Sequence, residues 1–121
     1  MMDVEGSILI VEDDVVAQKM LQGLLRRKLG YNALTAGHGR EALNLLRADQ
    51  GESIRLIILD LEMPVMGGME TLDIVRRQYP HIPVVMLTGS QDVGDAVEAL
   101  KHGAVDFLTK PYDGERLVVS L

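Results

Sequence analysis

Apolar residues in this chain occur in two arrangements that alternate from end to end. Unbroken runs stand at Ser7 to Val11 (Ser-Ile-Leu-Ile-Val), at Leu56-Ile57-Ile58-Leu59 and at Val84 to Leu87, with weaker ones at Asn32 to Ala36 and Val105 to Leu108. A continuous apolar run closed by turn chemistry suits a strand buried on both faces of a parallel sheet. Between the runs, apolar residues recur at helical spacing. The first such set is Val16, Met20, Leu21, Leu24 and Leu25, and the second is Ala42, Leu45 and Leu46 within Gly39 to Ala48. The third is Met69, Leu72, Val75 and Tyr79, and the fourth Val93, Ala96, Val97 and Leu100. Helix ends are marked as expected: Arg26, Arg27 and Lys28 precede Gly30, Pro80 and Pro83 bracket a turn, and Gly103 closes the fourth set. Asp49 to Ser53 reads as a polar loop. Strand and helix alternating five times with short connections predict an α/β domain, a doubly wound parallel sheet with helices on both faces. Asp113 can cap a final helix containing Leu117 and Val118. It reaches only about two turns by Leu121, so the helix is expected to continue in a longer protein.

At 121 residues the chain is long enough for one core and short for two. With one Phe and no Trp that core must be aliphatic, and the seven Met residues suit gap filling better than a cofactor box. A formal net charge of −6 argues against nucleic acid or an anionic membrane as a direct partner. Cysteine is absent, which removes disulfides and thiolate metal sites and fits a reducing compartment. The first residues lack a basic stretch followed by an apolar one, and no apolar run approaches a membrane span. A cytoplasmic domain is the expectation.

The chemistry lies where the strands stop. All strands of a parallel sheet point the same way, so the residues just past them share one edge, where open α/β sheets hold ligands. Those residues are Glu12, Asp13 and Asp14, then Asp60, Thr88 and Lys110. Three or more carboxylates crowded together repel one another, and the arrangement makes sense around a hard divalent cation with oxygen ligands such as Mg²⁺. An Asp nucleophile, a hydroxyl and an ammonium beside that cation suit phosphoryl transfer. Each has a plainer reading: Asp60 or Thr88 as a turn residue, Lys110 as a surface lysine, Asp14 as the cap of the first helix. For Asp14 the cap is the better reading, and it is left out of the cation shell. His38, His81 and His102 are expected on the solvated surface.

Four motifs, in this order and at these separations, resemble a two-component response-regulator receiver domain over essentially the whole chain, 1–121. They are Ile8-Leu9-Ile10-Val11-Glu12-Asp13-Asp14, Leu59-Asp60-Leu61-Glu62-Met63-Pro64, Val85-Met86-Leu87-Thr88-Gly89 and Phe107-Leu108-Thr109-Lys110-Pro111. The resemblance implies a flavodoxin-like, CheY-like (βα)5 sheet in the order 2-1-3-4-5. It implies that Asp60 accepts a phosphoryl group from a sensor histidine kinase. Asp13 and Asp60 would bind Mg²⁺ directly, Glu12 through water and Glu62 through its carbonyl. Thr88 and Lys110 would contact the phosphoryl group, Phe107 would be the aromatic switch residue, and Pro111 would follow a bond that is often cis. Such a domain is not an enzyme beyond its own phosphorylation and dephosphorylation. It would switch an output domain after Leu121 or a separate effector, or pair with a second copy through the face of its last two helices. Ala96 to Leu121 looks most like receivers fused to enhancer-binding transcriptional ATPases.

Gly67 stands where the family usually has Asp, Phe107 lacks a Tyr hydroxyl, and Glu62 adds a second acid near Asp60 that is expected to affect phosphoryl lifetime. Two other readings use the same residues. Haloacid dehalogenase hydrolases also place a nucleophilic Asp after an apolar strand, but they need Asp-x-Asp on an early strand and a substrate cap. A phosphorylation-independent pseudo-receiver would have lost the acids or the lysine.

Overall fold

The computed structural model describes residues 7–49, 52–63, 66–89 and 93–109. Along the chain run β1(Ser7–Val11), α1(Val15–Leu29), β2(Ala33–Ala36), α2(Gly39–Asp49), β3(Ile54–Asp60), α3(Gly68–Gln78), β4(Val84–Thr88), α4(Val93–Lys101) and β5(Asp106–Thr109). The strands form one sheet in the order β2-β1-β3-β4-β5, with every pairing parallel. This is the flavodoxin-like order expected above. The final helix expected around Asp113, Leu117 and Val118 lies outside the described residues, as does the Val93 side chain.

Strand side chains alternate between faces, and the two faces build separate cores. Leu9, Val11, Ile57, Leu59, Val84 and Met86 point to the side covered by Leu46 of α2, Leu72 and Val75 of α3 and Ala99 of α4. Ile8, Ile10, Ile58, Val85, Leu87 and Leu108 point to the other, against Leu21 and Leu25 of α1. Because β1, β3 and β4 bury both faces, their sequences had to be unbroken apolar runs rather than alternating ones.

Helix ends follow local chemistry. Asp14 is the N-cap of α1, its carboxylate accepting the Val16 N–H at 2.9 Å. Gly30 ends α1 at φ 71°, a left-handed conformation that glycine adopts without Cβ strain; its N–H reaches Arg26 O, and the Tyr31 N–H reaches Leu25 O. At the start of α2 the His38 ring Nδ1 accepts the Glu41 N–H at 3.2 Å, and the Glu41 carboxylate accepts the Gly37 N–H at 2.6 Å. The pair resembles a capping box with an imidazole in the hydroxyl's place, except that the Glu41 carboxylate reaches the N–H one residue before the cap.

Two helices differ from the periodicity reading. On α1, Val16 and Met20 are 66% and 68% exposed, so its buried stripe narrows to Leu21 and Leu25 with Leu24 at the margin. On α4, Ala96 and Ala99 are buried while Val97 and Leu100 are exposed. Small residues let α4 lie close to the sheet, and the larger side chains on its flanks have nothing left to cover. β5 begins one residue later than predicted and leaves Val105 exposed. His102 is exposed, as expected, yet engaged. Its Nδ1 lies 2.6 Å from Asp73 Oδ1 of α3 and its Nε2 3.3 Å from Glu98 Oε1 of α4.

Candidate functional site at the carboxyl edge of the sheet

Register brings the acids together. Val11 pairs with Leu59 across β1 and β3, so Glu12 and Asp60, the next residues of each chain segment, emerge side by side. Asp60 pairs in turn with Leu87, which puts Thr88 one position further along the neighbouring strand. One carboxylate oxygen from each of Glu12, Asp13 and Asp60 can be chosen so that all three lie within 4.8 Å of one another. Glu12 and Asp60 are each only 2% exposed, Thr88 is buried, and Asp13 is open to solvent.

Charged groups rarely sit this deep without compensation, because burial removes their hydration. Part of it comes from backbone donors: the Glu12 carboxylate accepts the Asp14 N–H at 3.1 Å, and Asp60 Oδ1 accepts the Glu62 N–H at 3.1 Å. The donor set is all carboxylate oxygen, with no imidazole or thiolate, which suits a hard divalent cation. A cation among these three groups would offset their mutual repulsion, and the exposed Asp13 side marks where it meets solvent. The acidic cluster can therefore hold such an ion.

Backbone hydrogen bonds tie the floor of the site together. Leu61 N–H donates to Leu87 O at 2.7 Å, and Gly68 N–H donates to Leu61 O at 3.1 Å, tying the start of α3 to the end of β3. A Cβ on Gly68 would lie 2.5 Å from Asp60 O, 2.6 Å from Leu61 Cα and 2.7 Å from Leu61 O. Only glycine allows the helix to sit this close to the Asp60–Leu61 peptide. Glu62 is exposed and its Oε1 would lie 3.4 Å from a Cβ on Gly89, so its carboxylate overhangs the residue after Thr88. Phe107 is half-buried on β5, opposite Met86 and packed against the core beneath.

Of the residues singled out from the sequence, Glu12, Asp13, Asp60, Glu62, Thr88 and Phe107 are described here, and the first three converge as stated. Lys110, Pro111, Pro64 and Ser90 lie outside the described residues. Asp14 points its carboxylate into the helix N-terminus and not into the cluster. Sequence reasoning passed over Thr71, a buried hydroxyl on α3 that donates to Gly67 O at 2.9 Å, and Gln18, whose Nε2 donates to Glu12 O at 2.6 Å. Neither carries a sequence signal, since a polar residue at helical spacing reads as solvent-facing. A recess lined by Gln22, Gly23, Arg26, Tyr31 and Ala33 shares no residue with the acidic cluster. Among the described residues no helix is long and apolar enough to cross a membrane.

Comparison with known proteins agrees with this geometry. Residues 8–121 match the family model described as response regulator receiver domain. The chain is 41% identical over 114 residues to the transcriptional regulatory protein ZraR of Escherichia coli (strain K12), an alignment covering 94% of this chain and 25% of that protein. It is 40% identical over 114 residues to the nitrogen assimilation regulatory protein NtrX of Azorhizobium caulinodans, covering 93% of this chain and 24% of that one. Among solved structures, a response regulator receiver domain protein from Clostridium thermocellum superposes with a TM-score of 0.87 at 31% identity, covering 95% of this chain and 90% of that chain. The chain thus spans about a quarter of the length of these two curated relatives. Three strand ends meeting at one edge, one acidic cluster and a match along nearly the full length lead to one statement: this chain belongs to the response regulator receiver domain family.

Proposed function

We propose that Asp60 is the phosphoacceptor of this receiver domain and that Mg²⁺ is the cation its acids hold. The observation that carries the reading is the juxtaposition of Glu12, Asp13 and Asp60 oxygens at the carboxyl edge of the sheet, with buried Thr88 on the adjoining strand. An Asp60 carboxylate oxygen attacks phosphorus of a sensor kinase phosphohistidine. The P–N bond breaks, its electron pair stays on the imidazole nitrogen, which takes up a proton, and Asp60 becomes an acyl phosphate.

Asp13 and Asp60 would hold Mg²⁺ directly, Glu12 through water and Glu62 through its carbonyl oxygen. When bound, the ion supplies charge neutralisation for the phosphoryl oxygens. Thr88 donates its hydroxyl to one of those oxygens, and Lys110 adds positive charge opposite the developing negative charge. The chain's catalysis is confined to its own phosphorylation and dephosphorylation. Glu62, overhanging Gly89, stands on the path of an attacking water and sets how long the phosphoryl group survives.

The switch follows from the same contacts. Drawing Thr88 toward the phosphoryl group frees space for Phe107 to turn inward, which shifts a two-state equilibrium at the α4–β5 face. That face exposes Val97, Leu100 and Val105, apolar side chains available to an output domain, a separate effector or a second copy of the chain. The full-length protein would be a cytoplasmic transcription regulator, of the enhancer-binding ATPase type suggested by the Ala96 to Leu121 stretch.

Incubating the domain with Mg²⁺ and acetyl phosphate and weighing the intact protein tests the assignment. One added phosphoryl group is expected on the wild type and none on Asp60→Asn. Labelling of the Asn variant to the same extent would move the acceptor elsewhere, and multiple turnover of small phosphate esters would favour a hydrolase.

A further inference from the structure

Asp13 is the exposed member of the acidic cluster, and its side chain has no hydrogen-bond partner among the described residues. Its carboxylate position is therefore inherited from the backbone on either side. On the far side, Asp14 is fixed by its role as N-cap of α1 and by its N–H on the Glu12 carboxylate. On the near side, Glu12 is held at its N–H, which donates to Ala36 O at 2.9 Å, and at its carbonyl, which accepts Gln18 Nε2 at 2.6 Å. That carbonyl belongs to the Glu12–Asp13 peptide. Because a peptide unit is planar, gripping its oxygen fixes the direction in which the Asp13 N–H and Cα leave β1.

We propose that Gln18 is a positioning residue for the cation site: from the second turn of α1 it locks the Glu12–Asp13 peptide plane and so aims the Asp13 carboxylate at Asp60. The bond spans six residues and joins helix to strand end, so it does not merely restate α1. Three like charges within 4.8 Å tend to spread apart when no cation lies between them. With the Glu12 carbonyl released, that repulsion is free to swing Asp13, the least restrained acid, outward. Groups that orient metal ligands without touching the metal typically change affinity about 10–100-fold when removed.

The inference rests on the cation reading above, and its test separates the two. Mg²⁺ is titrated into the unphosphorylated protein and binding followed by amide chemical shifts. Gln18→Met keeps length and helix propensity but removes the donor; Gln18→Ala removes the donor with a smaller side chain should the Met variant fold poorly. Gln18→Arg restores an N–H donor. Both donor-less variants are expected to bind Mg²⁺ roughly tenfold more weakly with the melting temperature of the Mg²⁺-free protein little changed, and Gln18→Arg to return affinity to within about threefold. The phosphorylation defect of Gln18→Met with acetyl phosphate should vanish at saturating Mg²⁺, which a general loss of structure would not allow. Affinity of Gln18→Met within about twofold of wild type overturns the proposal, as does an equal loss in Gln18→Arg. A wild type that binds no Mg²⁺ would instead sink the cation assignment itself.

Discussion

Replacing Gly68 with alanine tests how closely α3 must approach the end of β3. The added Cβ would meet Asp60 O at 2.5 Å, Leu61 Cα at 2.6 Å and Leu61 O at 2.7 Å, where ordinary contact begins near 3.4 Å. Relief needs a displacement of roughly 0.9 Å, and all three obstacles are backbone atoms that cannot rotate away. Overpacking of this kind costs about 1–3 kcal/mol, and three simultaneous contacts place it at the upper end. At the first helical position alanine's better propensity returns no more than its interior value of about 1 kcal/mol, so the net loss is at least about 2 kcal/mol. At roughly 4 °C per kcal/mol for a domain of this size, the melting temperature should fall by at least about 8 °C. Gly67 supplies the control, because a Cβ there meets nothing within 4 Å among the described residues and its φ of −67° suits any residue. Gly67→Ala loses a little as a poorer N-cap and gains from a less flexible unfolded chain, for a net change within about 0.5 kcal/mol. Thermal and urea melts followed by circular dichroism compare the pair. If Gly68→Ala were as stable as Gly67→Ala, the close approach of α3 to the Asp60–Leu61 peptide would be wrong.

Three further outcomes are expected. Asp14→Ala should lose about 1 kcal/mol of stability with its cap on Val16, read from urea melts, and an unchanged midpoint would show that the cap carries no weight. At a Mg²⁺ concentration about ten times the dissociation constant, wild type should gain about 1.4 kcal/mol of stability. Asp60→Asn should gain far less, and an equal gain would place the cation elsewhere. The Asp73 hydrogen bond, with Glu98 adding to it, raises the His102 pKa from its ordinary 6.5. A raised histidine stabilises fully below the unfolded value and loses that contribution as pH climbs through the folded one. Urea midpoints across about pH 5.5 to 8.5 should therefore decline more steeply in wild type than in His102→Gln, and superimposable profiles would show that the bridge between α3 and α4 carries no weight.

The strand ends were legible because parallel-sheet burial forces unbroken apolar runs, and each run stops at the residue that matters: Val11 before Glu12, Leu59 before Asp60, Leu87 before Thr88. Strand order followed only from the family resemblance, since no local signal says that β3 lies beside β1. The helices were located but half misread. Periodicity treats every apolar residue as inward, and it assigned Val16, Met20, Val97 and Leu100 to a core that Leu21, Leu25, Ala96 and Ala99 already fill. Gln18 and Thr71 stayed hidden for the opposite reason. Gln18 reaches a carbonyl at the end of β1, and Thr71 bonds the carbonyl four residues back in its own chain as helical threonines do, so neither partner shows in the pattern of apolar positions. His38 reads from the sequence as a solvated surface residue because imidazole is an uncommon cap, although Glu41 three residues on is a readable hint of its role at the start of α2.

The clustered acids spring from β1 and β3, strands locked between neighbours on both sides, whereas Val97, Leu100 and Val105 lie out at the sheet's far margin. Substitution at that margin leaves the interior strands undisturbed. On the function proposed above, a change of listener needs only a few altered outward aliphatic side chains while the acidic cluster stays as it is, which is the division a signalling module needs if it is to be copied and rewired.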